Sequence, residues 1–260
     1  MLLIDSAFKY AYNLCMGTNA VIVIPARFGS TRFPGKILAP ILGKPMIWYV
    51  YRGALQSTMA NEIIVATDSE KIKETVEAFG GKAVLTKGNF PSGTDRVFEA
   101  VKDKVYDIVV NLQGDEPLIK GEILDLLIQE LINSNADITT PCYAADESEA
   151  QNPNRVKIVT DSMGYALYFS RSPIPYYRNN NGSKEYLIHI GIYAYKFHSL
   201  KKFVKLPSSE LENKEKLEQL RALEYGMKIK VVKTNYRSYS VDIPEDIKVV
   251  ENLLKNKEAL

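Results

Sequence analysis

Cysteine is scarce. Cys15 and Cys142 are the two in 260 residues. They form no CxxC or zinc-type spacing, so both read as reduced thiols without a role. Long apolar runs are missing too. No stretch approaches the ~18 consecutive apolar residues of a membrane span, which argues against stable membrane insertion. Nor is one sign of charge in excess: 33 Lys and Arg against 31 Asp and Glu leave a formal charge of +2. That gives no general pull toward nucleic acid or an anionic membrane, so any basic site must be local. The opening stretch "MLLIDSAFKYAYNLCMGTN" has Asp5 near its start, no basic n-region and no small-x-small cleavage site. It makes a poor secretory signal, and a cytoplasmic protein with an N-terminal extension over residues 1–18 is expected. Internal repeats and low-complexity linkers are absent, so residues 19–260 read as a single domain.

What is present is ordinary in composition, with 46% hydrophobic and 25% charged residues, and long enough to bury a substantial core. Apolar runs alternate with amphipathic stretches, the pattern of a layered α/β fold with a largely parallel sheet. "AVIVI" (20–24), "EIIVATD" (62–68), "KAVLT" (82–86), the start of "YDIVVNLQGDEPLI" (106–119) and "ADITTPCYA" (136–144) read as strands. Between them, 45–57, 69–81, 93–104 and 121–134 read as helices. Ser69 caps the second of these, and glycines close it. After residue 155 the character changes. "RVKIVTDSMGYALYFSRSPIPYY" (155–177) predicts a hairpin about Asp161–Gly164, and "LIHIGIYAY" (187–195) predicts one strand. Residues 155–195 therefore form an inserted β-rich arm. Residues 213–226 predict one helix, 228–234 a strand, and 243–257 a terminal helix with Pro244 in its first turn.

Three stretches carry chemistry. "IPARFGSTRFPGKIL" (24–38) follows a buried strand. Backbone N–H groups around Gly29, Ser30 and Thr31 suit phosphate oxygens, and Arg27, Arg32 and Lys36 add positive charge. Neither a Walker loop nor a GxGxxG fingerprint is present. In "NLQGDEP" (111–117), Asp115 follows another buried strand and should lie at the same sheet edge. A carboxylate among phosphate-binding cations suits a Mg²⁺ ligand; an ordinary turn is the other reading. In "SYSVDIPED" (238–246), Asp242 is either the N-cap of the terminal helix or a second metal ligand.

Taken in order, PAR-x-x-STR-x-PGK (25–36), Thr67-Asp68, SGTDR (92–96), NLQGDEP (111–117), YFSR (168–171), H-x-G-I-Y (189–193), LEQLR (217–221) and VD-x-PED (241–246) form a specific set. It resembles the 3-deoxy-manno-octulosonate (Kdo) cytidylyltransferases over about residues 20–257. The resemblance implies a Rossmann-like nucleotide-diphospho-sugar transferase fold and a homodimer formed through the arm. It also implies transfer of CMP from CTP to the anomeric hydroxyl of an acidic eight-carbon sugar, releasing pyrophosphate, in lipopolysaccharide biosynthesis. By the same resemblance Arg27, Ser30, Thr31, Arg32 and Lys36 hold the triphosphate. Asp68 and Ser92 belong to the nucleotide pocket, and Asp115 and Asp242 bind magnesium. Gln113, Arg171, His189, Tyr193, Glu218 and Gln219 face the sugar, and Lys36, Arg32, Asp115 and Asp242 are the catalytic set.

Three other readings share parts of this pattern. One keeps the reaction but uses 8-amino-3,8-dideoxy-manno-octulosonate. Another is a sugar-1-phosphate nucleotidylyltransferase, disfavoured by the intact H-x-G-I-Y and LEQLR stretches. The last is a non-catalytic nucleotide-binding regulator, disfavoured by the presence of both aspartates and all three loop cations.

Overall fold

A computed structural model describes residues 17–29, 33–179 and 184–256; Cys15 and the expected extension through Met16 lie outside them. The chain divides into two compact units. One comprises the chain up to Asp125 together with Ser238 onwards, and the other comprises Leu126–Arg237.

In the first unit "AVIVIPA" forms β1 (Ala20–Ala26), whose residues Ala20 to Ile24 are fully buried. A parallel strand covered on both faces needs no polar alternation, so its sequence is one apolar run. Strands β2 (Glu62–Thr67), β3 (Ala83–Leu85) and β4 (Ile108–Asn111) are all parallel, in the order β3-β2-β1-β4. The chain steps outward from β1 to β3, then returns to place β4 on the other side of β1. That reversal is a topological switch point, and the loops leaving the carboxyl ends of two such strands open a ligand crevice.

Local signals set the helices. Pro45 stands at the N-cap of α1 (Met46–Ala54). The Ser69 hydroxyl accepts the Ile72 N–H at 3.4 Å at the start of α2 (Glu70–Ala78). Ser92 and Asp95 form a reciprocal capping box on α3 (Gly93–Val101), a pairing the sequence reading missed. Helix α4 (Gly121–Asn133) starts hard against the end of α1's connection. The terminal helix Pro244–Lys255 returns to the first unit, where Glu251 accepts the Leu42 N–H at 2.9 Å.

The second unit holds β5 (Ile138–Ala145), β6 (Lys157–Thr160), β7 (Ala166–Ser170), β8 (Tyr186–His189), β9 (Tyr193–Lys196) and β10 (Ile229–Lys233). Strand β10 runs parallel to β5, whereas β8 and β9 pair with β5 antiparallel. The hairpin β6–β7 continues from β8, and its Asp161 carboxylate accepts the N–H groups of Met163 and Tyr165 at 2.9 and 2.8 Å.

Two expected elements are broken. The run 187–195 is two strands, not one, because the chain folds back at Ile190–Ile192, where the Ile192 N–H reaches the Ile190 carbonyl at 2.7 Å. Opposite lies Pro141, which has no N–H to give, and the Thr140 hydroxyl serves the break instead, 2.8 Å from the Ile192 carbonyl. The run 213–226 is two short helices, Glu210–Glu215 and Gln219–Glu224, separated by Lys216 in the left-handed conformation (φ 54°). Arg221 reaches back across this break to Glu212, with nitrogen–oxygen distances of 2.9 and 2.6 Å.

Gly121 marks a very tight approach in the first unit: a Cβ there would lie 2.3 Å from backbone atoms of Gln56 and Ser57. Gly121→Ala is expected to lose about 1–3 kcal/mol by overpacking, seen as a lower urea midpoint at unchanged slope. An unchanged midpoint would contradict this contact.

Candidate active site

The crevice between the ends of β1 and β4 is where the basic loop and the Gln113–Asp115 turn leave the sheet. The base of the basic loop is closed by the Gly35 N–H donating to the Phe28 carbonyl at 3.1 Å. Gly35 itself is left-handed (φ 72°), a conformation that favours glycine, and turns the chain into a single 3-10 turn at Lys36–Leu38. From there the Lys36 ammonium donates to Asp115 Oδ2 at 2.5 Å and to the Val241 carbonyl at 2.9 Å, and it lies 3.5 Å from Asp242 Oδ1. The turn carrying Asp115 can come this close because residue 114 is glycine. A Cβ there would sit 3.0 Å from the Pro25 carbonyl oxygen and 2.9 Å from Ile37 Cδ1. The returning chain is stitched on by the Val241 N–H, which donates to the Asp115 carbonyl at 3.0 Å.

Asp242 does not cap the terminal helix. The N-cap is Ile243, and Asp246 in the helix's first turn reaches back, its Oδ2 accepting the N–H groups of Asp242 and Ile243 at 2.7 and 3.0 Å. The Asp242 carboxylate is thereby left to face Lys36.

A cavity of about 300 Å³ occupies this crevice, at the small end of the range for ligand sites. Of the residues expected to act, Arg27, Lys36, Ser92, Gln113, Asp115 and Asp242 line it. The α3 N-terminus at Ser92–Gly93 also faces it and adds partial positive charge to the two loop cations. Ser30, Thr31 and Arg32 lie outside the described residues. Asp68 is not on the cavity wall; its Oδ1 accepts the Phe28 N–H at 3.1 Å. Arg96, which the sequence reading quoted within SGTDR but did not assign, does line the cavity.

Two oxygens from separate carboxylates thus converge on one positive charge, the Lys36 ammonium, in a site whose other cations suit phosphate. An all-oxygen pair of this kind, both partly solvent-exposed, fits a hard divalent cation that also takes ligands from a bound phosphate.

The remaining expected residues belong to the second unit. The His189 ring packs edge-on to Phe169, centroids 5.1 Å apart, and beside Tyr193 at 5.4 Å. Its Nε2 lies 2.9 Å from the Thr140 hydroxyl. The same hydroxyl lies 3.2 and 2.8 Å from the Ile190 and Ile192 carbonyls; in the tautomer that lets it give its one hydrogen to them, Nε2 carries the imidazole hydrogen and Nδ1 is the acceptor. His189 is half-buried, and desolvation by the packing around it pushes its pKa down to about 3. Burial, with Tyr195 and Glu218 nearby, drives the Tyr193 phenol well above its ordinary value, so it stays protonated. Gln219 is buried, and its Nε2 has no partner among the described residues. Arg171 instead directs its guanidinium to the carbonyls of Glu215 and Lys216, in the turn before Glu218, and to that of Pro153.

A family model described as Cytidylyltransferase matches residues 21–229. The chain is also 52% identical over 248 residues to the 3-deoxy-manno-octulosonate cytidylyltransferase of Thermodesulfovibrio yellowstonii, covering 90% of this chain and 97% of the relative. The chain belongs to the 3-deoxy-manno-octulosonate cytidylyltransferase family. The enzyme of that name from Lawsonia intracellularis is 47% identical over 238 residues, covering 90% of this chain and 94% of the relative. A solved structure of CMP:2-keto-3-deoxy-manno-octonic acid synthetase complexed with CTP superposes with a TM-score of 0.88 at 43% identity, covering 92% of this chain and all of that one. The nucleotidyltransferase α/β fold expected for the family is therefore the fold of this chain.

The depressed His189 pKa has a definite sign. Between the ordinary 6.5 and about 3 the unfolded chain binds a proton that the folded chain does not. Stability should therefore fall as pH drops through that window. Ring NMR signals of His189 are expected not to titrate from about pH 8 to about pH 5; a midpoint within that range would contradict the neutral assignment.

Proposed function

We propose that the protein transfers CMP from CTP to the anomeric hydroxyl of Kdo, releasing pyrophosphate and forming CMP-Kdo for lipopolysaccharide biosynthesis. The observation that carries this reading is the meeting of Lys36, Asp115 and Asp242 in a cation-lined crevice at the switch point. It is supported by a close relative solved with CTP and by the Kdo cytidylyltransferase names of the curated relatives.

In this reaction the sugar oxygen forms a new bond to the α-phosphorus. The bond from that phosphorus to the bridging oxygen breaks, pyrophosphate departs, and the hydroxyl proton is lost to solvent or base. No protein nucleophile is needed, so catalysis rests on alignment and charge stabilisation. Arg27, Lys36 and the α3 N-terminus bind the phosphates and hold charge on the departing pyrophosphate. Asp115 and Asp242 would hold Mg²⁺, which when bound polarises phosphate oxygens and lowers the pKa of a nearby hydroxyl. On the sugar side, His189 Nδ1 accepts, Gln219 Nε2 and the Tyr193 phenol donate, and Glu218 completes the polar set. A neutral histidine suits this work, because a hydroxyl needs an acceptor there.

Two results test the reading. Asp115→Asn and Asp242→Asn should each lower kcat/KM on the order of 10²-fold or more, with a lowered thermal melt in Asp115→Asn, where Lys36 loses its nearer carboxylate, and a melt near wild type in the more exposed Asp242→Asn; near-normal turnover in either would remove that residue from the metal site. A pyrophosphate-release assay crossing CTP, UTP, ATP and GTP with Kdo, its 8-amino relative and a sugar 1-phosphate should show turnover with CTP and Kdo. Turnover of the sugar 1-phosphate without Kdo activity would overturn the substrate assignment.

A further inference from the structure

Arg96 is a buried cation on the cavity wall with no place in the reaction as described so far. It sits in the first turn of α3, and its side chain is 8% exposed. One terminal nitrogen donates to Asp68 Oδ2 at 2.9 Å, the other to the Thr86 hydroxyl at 2.7 Å, and the guanidinium lies over the Phe90 ring at 5.2 Å. The Thr86 hydroxyl in turn donates to the Thr67 carbonyl at 3.1 Å. Arg96 therefore grips the carboxyl end of β2 twice, through Asp68 directly and through Thr86 to the residue before it.

The other Asp68 oxygen accepts the Phe28 N–H at 3.1 Å, and the Phe28 carbonyl accepts the Gly35 N–H at 3.1 Å. Both peptide groups flanking Phe28 are thus fixed. They form the base of the basic loop, with Arg27 immediately before the first anchor and Lys36 immediately after the second.

We propose that Arg96 is a positioning residue that acts through Asp68, setting the backbone at Phe28 and so the presentation of Arg27 and Lys36 to the triphosphate. This rests on the reading of the loop as the phosphate binder. A buried guanidinium needs a charge partner, and Asp68 meets that need while fixing the loop. The network takes up the ordering entropy of the loop base during folding rather than during binding. Asp68, expected to touch the nucleotide, is assigned instead to the loop's underside.

Because Arg96 also lines the cavity, direct contact with CTP is the rival, and coupling separates the two. Arg96→Met, Asp68→Asn and the double variant should each raise the KM for CTP about tenfold with kcat little changed. The double variant should be no worse than either single one. Arg96→Lys, which keeps a cation for Asp68, should recover most of the loss. Hydrogen exchange of the peptide containing Phe28 should speed up in both single variants, beyond any speeding seen across the core strands. Unchanged exchange at Phe28, or faster exchange with an unchanged KM for CTP, would overturn the proposal. So would a raised KM in Arg96→Met alone, which would place Arg96 on the nucleotide. Failure of the underlying phosphate reading would look different: the wild-type protein would not bind CTP.

Discussion

One ammonium group sets the geometry of the site. Lys36 Nζ must reach the Asp115 carboxylate 79 residues further along the chain and the Val241 carbonyl 205 residues away. Its side chain is 12% exposed, so losing a partner would leave a largely desolvated charge uncompensated. Meeting that demand requires β1 and β4 as neighbours, a glycine at 114, and the return of the chain after the second unit. The strand order, the tight turn and the terminal helix can all be read as ways of bringing these groups within reach.

The two units differ in chemical character. The first gathers cations and carboxylates at strand ends, where backbone amides and a helix terminus add to the field. The second presents mainly neutral groups: an imidazole held uncharged by packing, a phenol kept protonated and a buried carboxamide.

Much of the first unit was legible in the sequence because its signals are local. The apolar run 20–24, Ser69 before its helix, and the turn after Asn111 each declare themselves within a few residues. The breaks in the second unit were not legible. Nothing within "LIHIGIYAY" announces that Thr140 and Pro141 on another strand will divide it. The left-handed Lys216 likewise interrupts an amphipathic pattern that otherwise continues. At the site, Asp115 and Lys36 stood out by residue type after buried strands. That Asp242 does not cap the terminal helix depends on Asp246, four residues on, whose carboxylate takes the Asp242 N–H. The Arg96–Asp68 pair spans 28 residues with no period to reveal it; the only signal was an arginine in the first turn of a helix opened by Ser92.

The convergence of Asp115 and Asp242 as a cation site is the central claim, and the most direct measurement is Mn²⁺ binding read by electron paramagnetic resonance in the presence of CTP. The account predicts a protein-bound Mn²⁺–CTP signal in the wild type, and affinity weakened about tenfold or more in Asp242→Asn. Equal Mn²⁺ affinity in the two proteins would contradict it.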